Sequence, residues 1–140
     1  MKLNSEINAI LDSRFGCDNL IAIATVDGDT PYVRAVNAYY EDGSFYVVTN
    51  ARSAKMRQLE KNPNIAICGD WFTAHGTGEN MGHVLKSELT DMMSKLRVLF
   101  EVWYDLGHVD ENDPDTVLLR IRLTDGVLFD HGTRYEIEFN

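Results

Sequence analysis

A chain of 140 residues, 44% hydrophobic and 25% charged, has the size and balance of one soluble domain spanning 1–140 with a single core. Its net charge of −9 excludes the broad basic face that nucleic acid or an anionic membrane would require. Two cysteines, Cys17 and Cys68, are too few for a disulfide framework and lack zinc-site spacing; lying beside apolar runs, they are expected to be reduced, partly buried thiols of a cytoplasmic protein.

The opening MKLNSEINAILDSRF carries polar residues where a secretory signal needs an unbroken apolar stretch, and no later run approaches membrane-spanning length. Instead Leu3, Ile7, Ile10, Leu11 and Phe15 recur at helical intervals, predicting an amphipathic helix over 4–15 closed by Gly16. LIAIATV, residues 20–26, reads as a buried strand, and Asp27-Gly28-Asp29-Thr30-Pro31 as the turn after it. From Tyr32 two aromatic and β-branched runs flank Asp42-Gly43, a pair that supplies the positive φ angles of a two-residue hairpin.

Behind that hairpin lies the densest chemistry in the chain, Thr49-Asn50-Ala51-Arg52-Ser53-Ala54-Lys55-Met56-Arg57. Hydroxyls, an amide and three cations gather where a strand hands over to a short helix (53–61, stopped by Asn62-Pro63). A helix start exposes unpaired N–H groups and partial positive charge, so this junction suits an anion such as a phosphate. On spacing alone the commoner job for Asn50 or Ser53 is to cap the helix while Arg52, Lys55 and Arg57 face water.

Ile65–Gly69 resumes a strand, which is expected to run on through Asp70 to Glu79, with Gly76 and Gly78 marking a bend, a bulge or a close backbone approach. Residues 87–104 place Leu89, Met92, Met93, Leu96, Leu99, Phe100 and Trp103 on one face of a second amphipathic helix. An acidic loop follows to Thr116, and 117–123, 126–130 and 134–139 read as three further strands. His75 and His83 stand eight apart, a spacing without metal-site logic, and no metal is expected. The sum is an α+β chain, mainly β: a small antiparallel barrel of six or seven strands with two or three flanking helices.

The run from Leu20 to Cys68 resembles the pyridoxamine 5′-phosphate oxidase-like family of FMN-binding split barrels. The resemblance lies in the order of a Pro-x-x-Arg-x-Val strand, an Asp-Gly turn, a Phe-Tyr-x-x-Thr-Asn strand, a Ser-x-Lys helix and an Asn-Pro stop. It implies an FMN cofactor whose phosphate is held by Arg34, Ser53 and Lys55, with Ala35, Val36 and Asn37 following Arg34 on its strand. Val48, Thr49 and Asn50 would lie along the flavin ring and ribityl chain. It further implies a homodimer with the cofactor at the subunit interface, and places Tyr39, Trp71, His75, Gly76 and Gly78 as lining candidates. Where the family often has Arg between Ser and Lys, this chain has Ala54; either FMN binds more weakly, by about 1.5–3 kcal/mol, or Arg52 or Arg57 substitutes. The family's oxidases carry a C-terminal Arg-x-His element, whereas His131-Gly132-Thr133-Arg134 has the reverse order, so the resemblance does not extend to pyridoxal chemistry. It points to an FMN-dependent oxidoreductase of a small substrate. The alternatives are a non-catalytic flavin sensor or store, or a split barrel taking haem or a deazaflavin. No catalytic residue is nominated.

Overall fold

The computed structural model describes all residues from Met1 to Asn140. Helix α1 (Ser5–Phe15) is capped by Asn4, whose side-chain oxygen accepts from the Ile7 N–H, and it buries Ile7, Leu11 and Phe15. Seven antiparallel strands follow: β1 (Asn19–Asp27), β2 (Thr30–Glu41), β3 (Ser44–Asn50), β4 (Asn64–Gly69), β5 (Phe72–His83), β6 (Thr116–Asp130) and β7 (Thr133–Glu138). Their order is β3-β2-β1-β4-β5-β6-β7, and an additional β3–β6 ladder closes the first six into a barrel. Between β3 and β4 lies helix α2 (Ala54–Lys61), whose buried Met56 and Leu59 join the barrel core.

Strand β6 is the hinge of this arrangement. Its first half pairs with β3 from Asn50–Thr116 to Ser44–Arg122, and its second half with β7 from Asp125–Glu138 to Asp130–Thr133, while β5 runs along its other edge. Residues 117–123 and 126–130 are therefore one strand, not two. Thr124 sits between them as a bulge: His75 faces Asp125 and Gly76 faces Leu123, and the Thr124 hydroxyl donates to the His75 carbonyl at 3.2 Å. The bulge lets β6 bend from one neighbour to the next, and the expected break at Thr124-Asp125 does not divide the strand.

The opposite correction applies to 65–79, which is a hairpin and not one strand. Asp70-Trp71 makes the turn, with Trp71 at φ +52°. A bulky aromatic in the left-handed region is rare, so nothing in the residue types advertised it. Asp42 and Gly43, by contrast, both take positive φ, as the Asp-Gly pair predicts. Gly76 fits its reading as a close approach: a Cβ there would lie 2.5 Å from the Arg122 carbonyl oxygen.

The second amphipathic helix is broken. After a 3-10 turn at Ser87–Leu89, α3 (Thr90–Leu99) ends at Phe100, a short α4 (Glu101–Trp103) follows, and a wide π-type turn at Tyr104–His108 closes over Gly107, φ +91°. The aromatic and β-branched run from Phe100 to Tyr104 disfavours a continuous helix, and the break lets Phe100 and Tyr104 both enter a second, smaller core outside the barrel. That core packs α3 against Tyr39, Tyr46, Val48 and Leu118 on the outer surface. Arg97 and Tyr104 both donate to Glu111, at 2.9 and 2.6 Å, tying the acidic loop to the same layer.

Both cysteines are exposed, against the expected partial burial; Cys68 lies on the outward side of β4 and Cys17 in the loop after α1. At the outer edge of β7, the Leu3 N–H donates to the Glu138 carbonyl and Lys2 makes a parallel bridge to the same residue. No helix is long and apolar enough to cross a membrane.

Candidate cofactor site

The barrel is incomplete at one seam. β2 and β3 pair only at Tyr39–Tyr46, Tyr40–Phe45 and Glu41–Ser44, next to their turn. Beyond that β2 stays with β1 and β3 stays with β6, so the two strands splay apart. Backbone groups on splayed edges lack ladder partners and are free to meet a ligand. A cavity of about 250 Å³ fills the gap, with Val36 and Asn37 on one wall and Val47 and Val48 on the other. Lys55 also lines it, and Trp103 and His108 from the outer layer cover it.

Lys55 lines this gap, and Arg34 lies near enough for its charge to act on Lys55, though it is not itself among the lining residues. The Arg34 guanidinium donates from Nη1 to Thr25 Oγ1 at 2.7 Å and to the Tyr32 carbonyl at 3.3 Å, and from Nη2 to Gln58 Oε1 at 3.3 Å. All three acceptors are neutral. Lys55, half-buried in the first turn of α2, makes no ion pair. Burial lowers the pKa of both groups, and for Lys55 the nearby Arg34 charge lowers it further. Two cations that repel one another in a partly desolvated place, with no carboxylate to answer them, form a hole for an anion.

Ser53 adds a hydroxyl. It stands at the N-cap of α2 with extended φ/ψ, yet its side chain makes no capping bond, and its Oγ is buried without any partner. An orphaned buried hydroxyl at a helix start with no acidic residue in the first turn is unusual, because such groups nearly always find a partner. A phosphate oxygen would satisfy it, so the residues present fit such a group. Arg52 is turned elsewhere: it ion-pairs with Asp113 at 3.4 Å and Asp115 at 3.0 Å. Asn50 belongs to that cluster too, accepting from the Arg52 N–H and donating to Asp113.

Of the remaining sequence candidates, Val48 lines the gap, Thr49 is half-buried opposite Val117, and Ala35 faces outward on β2. Trp71 and His75 lie elsewhere. Trp71 is 71% exposed in the β4–β5 turn against Phe129, and His75 pairs with Asp125 at 2.9 Å. Tyr39 packs in the outer core with its hydroxyl donating to Glu41, and burial pushes its pKa up to about 12. Gly78 makes room for Leu59.

Trp103, His108 and Asp18 were not legible as site residues. Asp18 accepts from Asn37 Nδ2 at 3.0 Å and from Trp103 Nε1 at 2.9 Å, which clamps the outer layer to β2 across the mouth of the gap. The Trp103 ring lies 4.9 Å from Phe100 and 6.4 Å from His108. The aromatic clustering was visible in the sequence, but its partner sits in a loop far upstream.

The sequence matches the family model described as Pyridoxamine 5′-phosphate oxidase over residues 4–128. The chain belongs to that family. No curated protein matches it in sequence. Among solved structures, the General Stress Protein 26 of Bacillus anthracis str. Sterne superposes with a TM-score of 0.65 at 20% identity, covering 86% of this chain and 92% of its own. An FAD-binding protein of Mesorhizobium loti gives 0.64 at 16%, with 89% and 92% covered. A heme binding protein of Mycobacterium smegmatis gives 0.66 at 13%, covering 88% of this chain but 54% of its own. At such identities the likeness shows the fold, the split barrel of the pyridoxamine 5′-phosphate oxidase family.

Proposed function

We propose that this protein binds FMN in the gap between β2 and β3, works as a homodimer, and is a flavin-dependent oxidoreductase of a small substrate. The observation that carries the reading is the uncompensated pair of half-buried cations, Arg34 and Lys55, which feel one another's charge and of which Lys55 lines the slot. The phosphate of FMN is a dianion of matching chemistry, and Ser53 Oγ supplies a further donor. Val36, Val47 and Val48 give the slot apolar walls for a flat ring, and the splayed strand edges offer N–H and C=O groups to its heteroatoms. Bound FMN supplies hydride acceptance and donation, so the protein's task is to bind, orient and exclude water. Trp103 and His108 cover the slot, and His108 is the titratable side chain besides Lys55 on its lining. FAD- and haem-binding proteins share this fold, which is why the ligand's mass matters.

The dimer reading rests on the outer face of β1, β2 and β4. Ala22 faces Ala35 and Cys68, and Ala24 faces Val33 and Ala66, so small apolar side chains form a smooth patch. Leu20 and Val33 on this patch are 68% and 72% exposed. Such a face suits sheet-on-sheet packing against a second copy. It runs along β2 to Asn37, at the rim of the slot.

Purification with and without added FMN tests the reading. The expected result is a yellow dimer whose extracted ligand has the mass of FMN and which oxidises NADH or NADPH. A colourless protein that takes up no FMN overturns it. A flavin-loaded protein without turnover would instead be a sensor or store, and an extracted haem or deazaflavin would change the ligand.

A further inference from the structure

The outer helical layer carries an apolar stripe on which nothing in the chain packs. In α3 and the turns after it, Met93, Leu96, Phe100 and Tyr104 enter the outer core. Val98 and Val102 each stand two residues from Phe100, about 200° round the helix, so they project the opposite way. Leu106, two residues past Tyr104, continues outward in the wide turn that Gly107 closes at φ +91°. Val98, Val102 and Leu106 are 68%, 79% and 71% exposed. Valine is a poor choice for an exposed helical position, because its branched Cβ loses rotamer freedom there and no packing offsets the loss. Apolar side chains at i, i+4 and i+8 make a patch, unlike the scattered exposure that any surface shows.

The rim of this patch offers negative charge alone. Glu101 and Asp105 stand beside Val102 and Leu106, Asp110 follows the turn, and all of them are exposed and outside any ion pair. The cations of the same helix are already engaged, Lys95 with Glu41 and Arg97 with Glu111. A ridge that is apolar along its centre and acidic at its edge is complemented by a helix whose apolar stripe is flanked by lysine or arginine. Their stems would lie over the valines while their charged heads reach the carboxylates. No helix of this chain has that pattern. α1 turns Glu6 and Asp12 to solvent, and α2 shows Arg57 and Lys61 with no exposed apolar side chain larger than Ala54. α3 of a second copy would bring the same acids, and the lipids of an anionic membrane would be repelled by them.

We propose that the face formed by Val98, Val102 and Leu106 docks a cationic amphipathic helix of a partner protein, outside the cofactor slot and independent of what fills it. The test uses the full chain and a synthetic helix of about 18 residues, or about five turns, with leucines on one face and lysines on the rest. A scrambled peptide of the same composition and one with glutamate for lysine are the controls. The leucine–lysine helix is expected to bind wild type with a Kd of about 10 µM, to move the NMR amide signals of residues 94–106, and to weaken with added salt; the controls should not bind. Val102→Ser/Leu106→Ser should weaken binding about tenfold and Glu101→Gln/Asp105→Asn about threefold, with melting curves unchanged. Signal changes centred elsewhere, equal binding of the scrambled peptide, no binding by wild type, or variants that bind like wild type each overturn the inference. A wild-type dimer that Val102→Ser/Leu106→Ser dissociates would give the face to a second copy, and flotation with neutral lipid vesicles that the same variant abolishes would give it to a membrane. Either result also overturns the inference, and none of these outcomes bears on the flavin reading.

Discussion

The two long seams of the barrel are built on opposite principles. Along β5 and β6 the ladder runs from Phe72–Leu128 to His83–Val117, interrupted by bulges yet never opened. Along β2 and β3 it stops after three pairs, and the space between the strands becomes the candidate site. On the first seam the polar groups of the backbone satisfy one another, so substitutions there act on stability. On the second they lack ladder partners, and Arg34 and Lys55 nearby are cations without counter-ions. The contrast teaches that local stability and binding are separable in this chain, and each side can be disturbed alone.

The largest disturbance belongs to the closed seam. Gly76→Val would drive a side chain into the Arg122 carbonyl, and urea denaturation should show a loss of about 2–4 kcal/mol. Next is Lys55→Met on the open seam, which should weaken FMN binding by roughly a hundredfold while the urea midpoint of the ligand-free protein holds or rises, because a repelling charge is gone. A parallel drop in stability would show that the two seams are not independent.

The pH response is subtler. Lys55 has its pKa lowered in the fold, so between that value and the ordinary lysine value the unfolded chain binds more protons than the native one. The stability of the ligand-free protein therefore rises with pH through that window. A bound phosphate favours the charged amine, so FMN affinity should be full where Lys55 is protonated in the free protein and decline as pH climbs past its lowered pKa. Titrations from neutral to alkaline pH should show that decline, and Lys55→Arg should flatten it; a flat wild-type profile would separate Lys55 from the phosphate. Smallest is Trp103→Phe, which removes the indole donor to Asp18. It should weaken the clamp over the slot by about 1 kcal/mol, read as quicker FMN release in stopped-flow chase, with urea unfolding of the barrel little changed.

Much of this architecture was readable because local chemistry and global fold agree. The Asp42-Gly43 turn, the first amphipathic helix with its end at Gly16 and the stop at Asn62 each follow from residues beside them. The errors fall where the deciding partner is remote. Trp71 takes a positive φ because β4 and β5 must meet, and Thr124 bulges because β6 must serve two neighbours. Phe100 breaks its helix to reach a core assembled from Tyr39, Tyr46 and Leu118. Of the phosphate candidates, Ser53 and Lys55 came from one short segment and Arg34 from the resemblance, and Arg34 and Lys55 lie near enough to feel one another's charge, whereas Trp71 and His75, also placed by resemblance, lie off the slot. Asp18 and Trp103 meet only through tertiary structure, and no spacing rule joins them.

The strap formed by Lys2 and Leu3 along β7 has a bearing on how molecules of this protein meet. A terminal strand with a bare margin invites another chain to add itself, rung by rung, into a growing fibril. Here the Glu136–Glu138 end of that margin is already engaged by Met1, Lys2 and Leu3 of the same molecule. That stretch of the margin is thereby closed to the addition of a foreign strand.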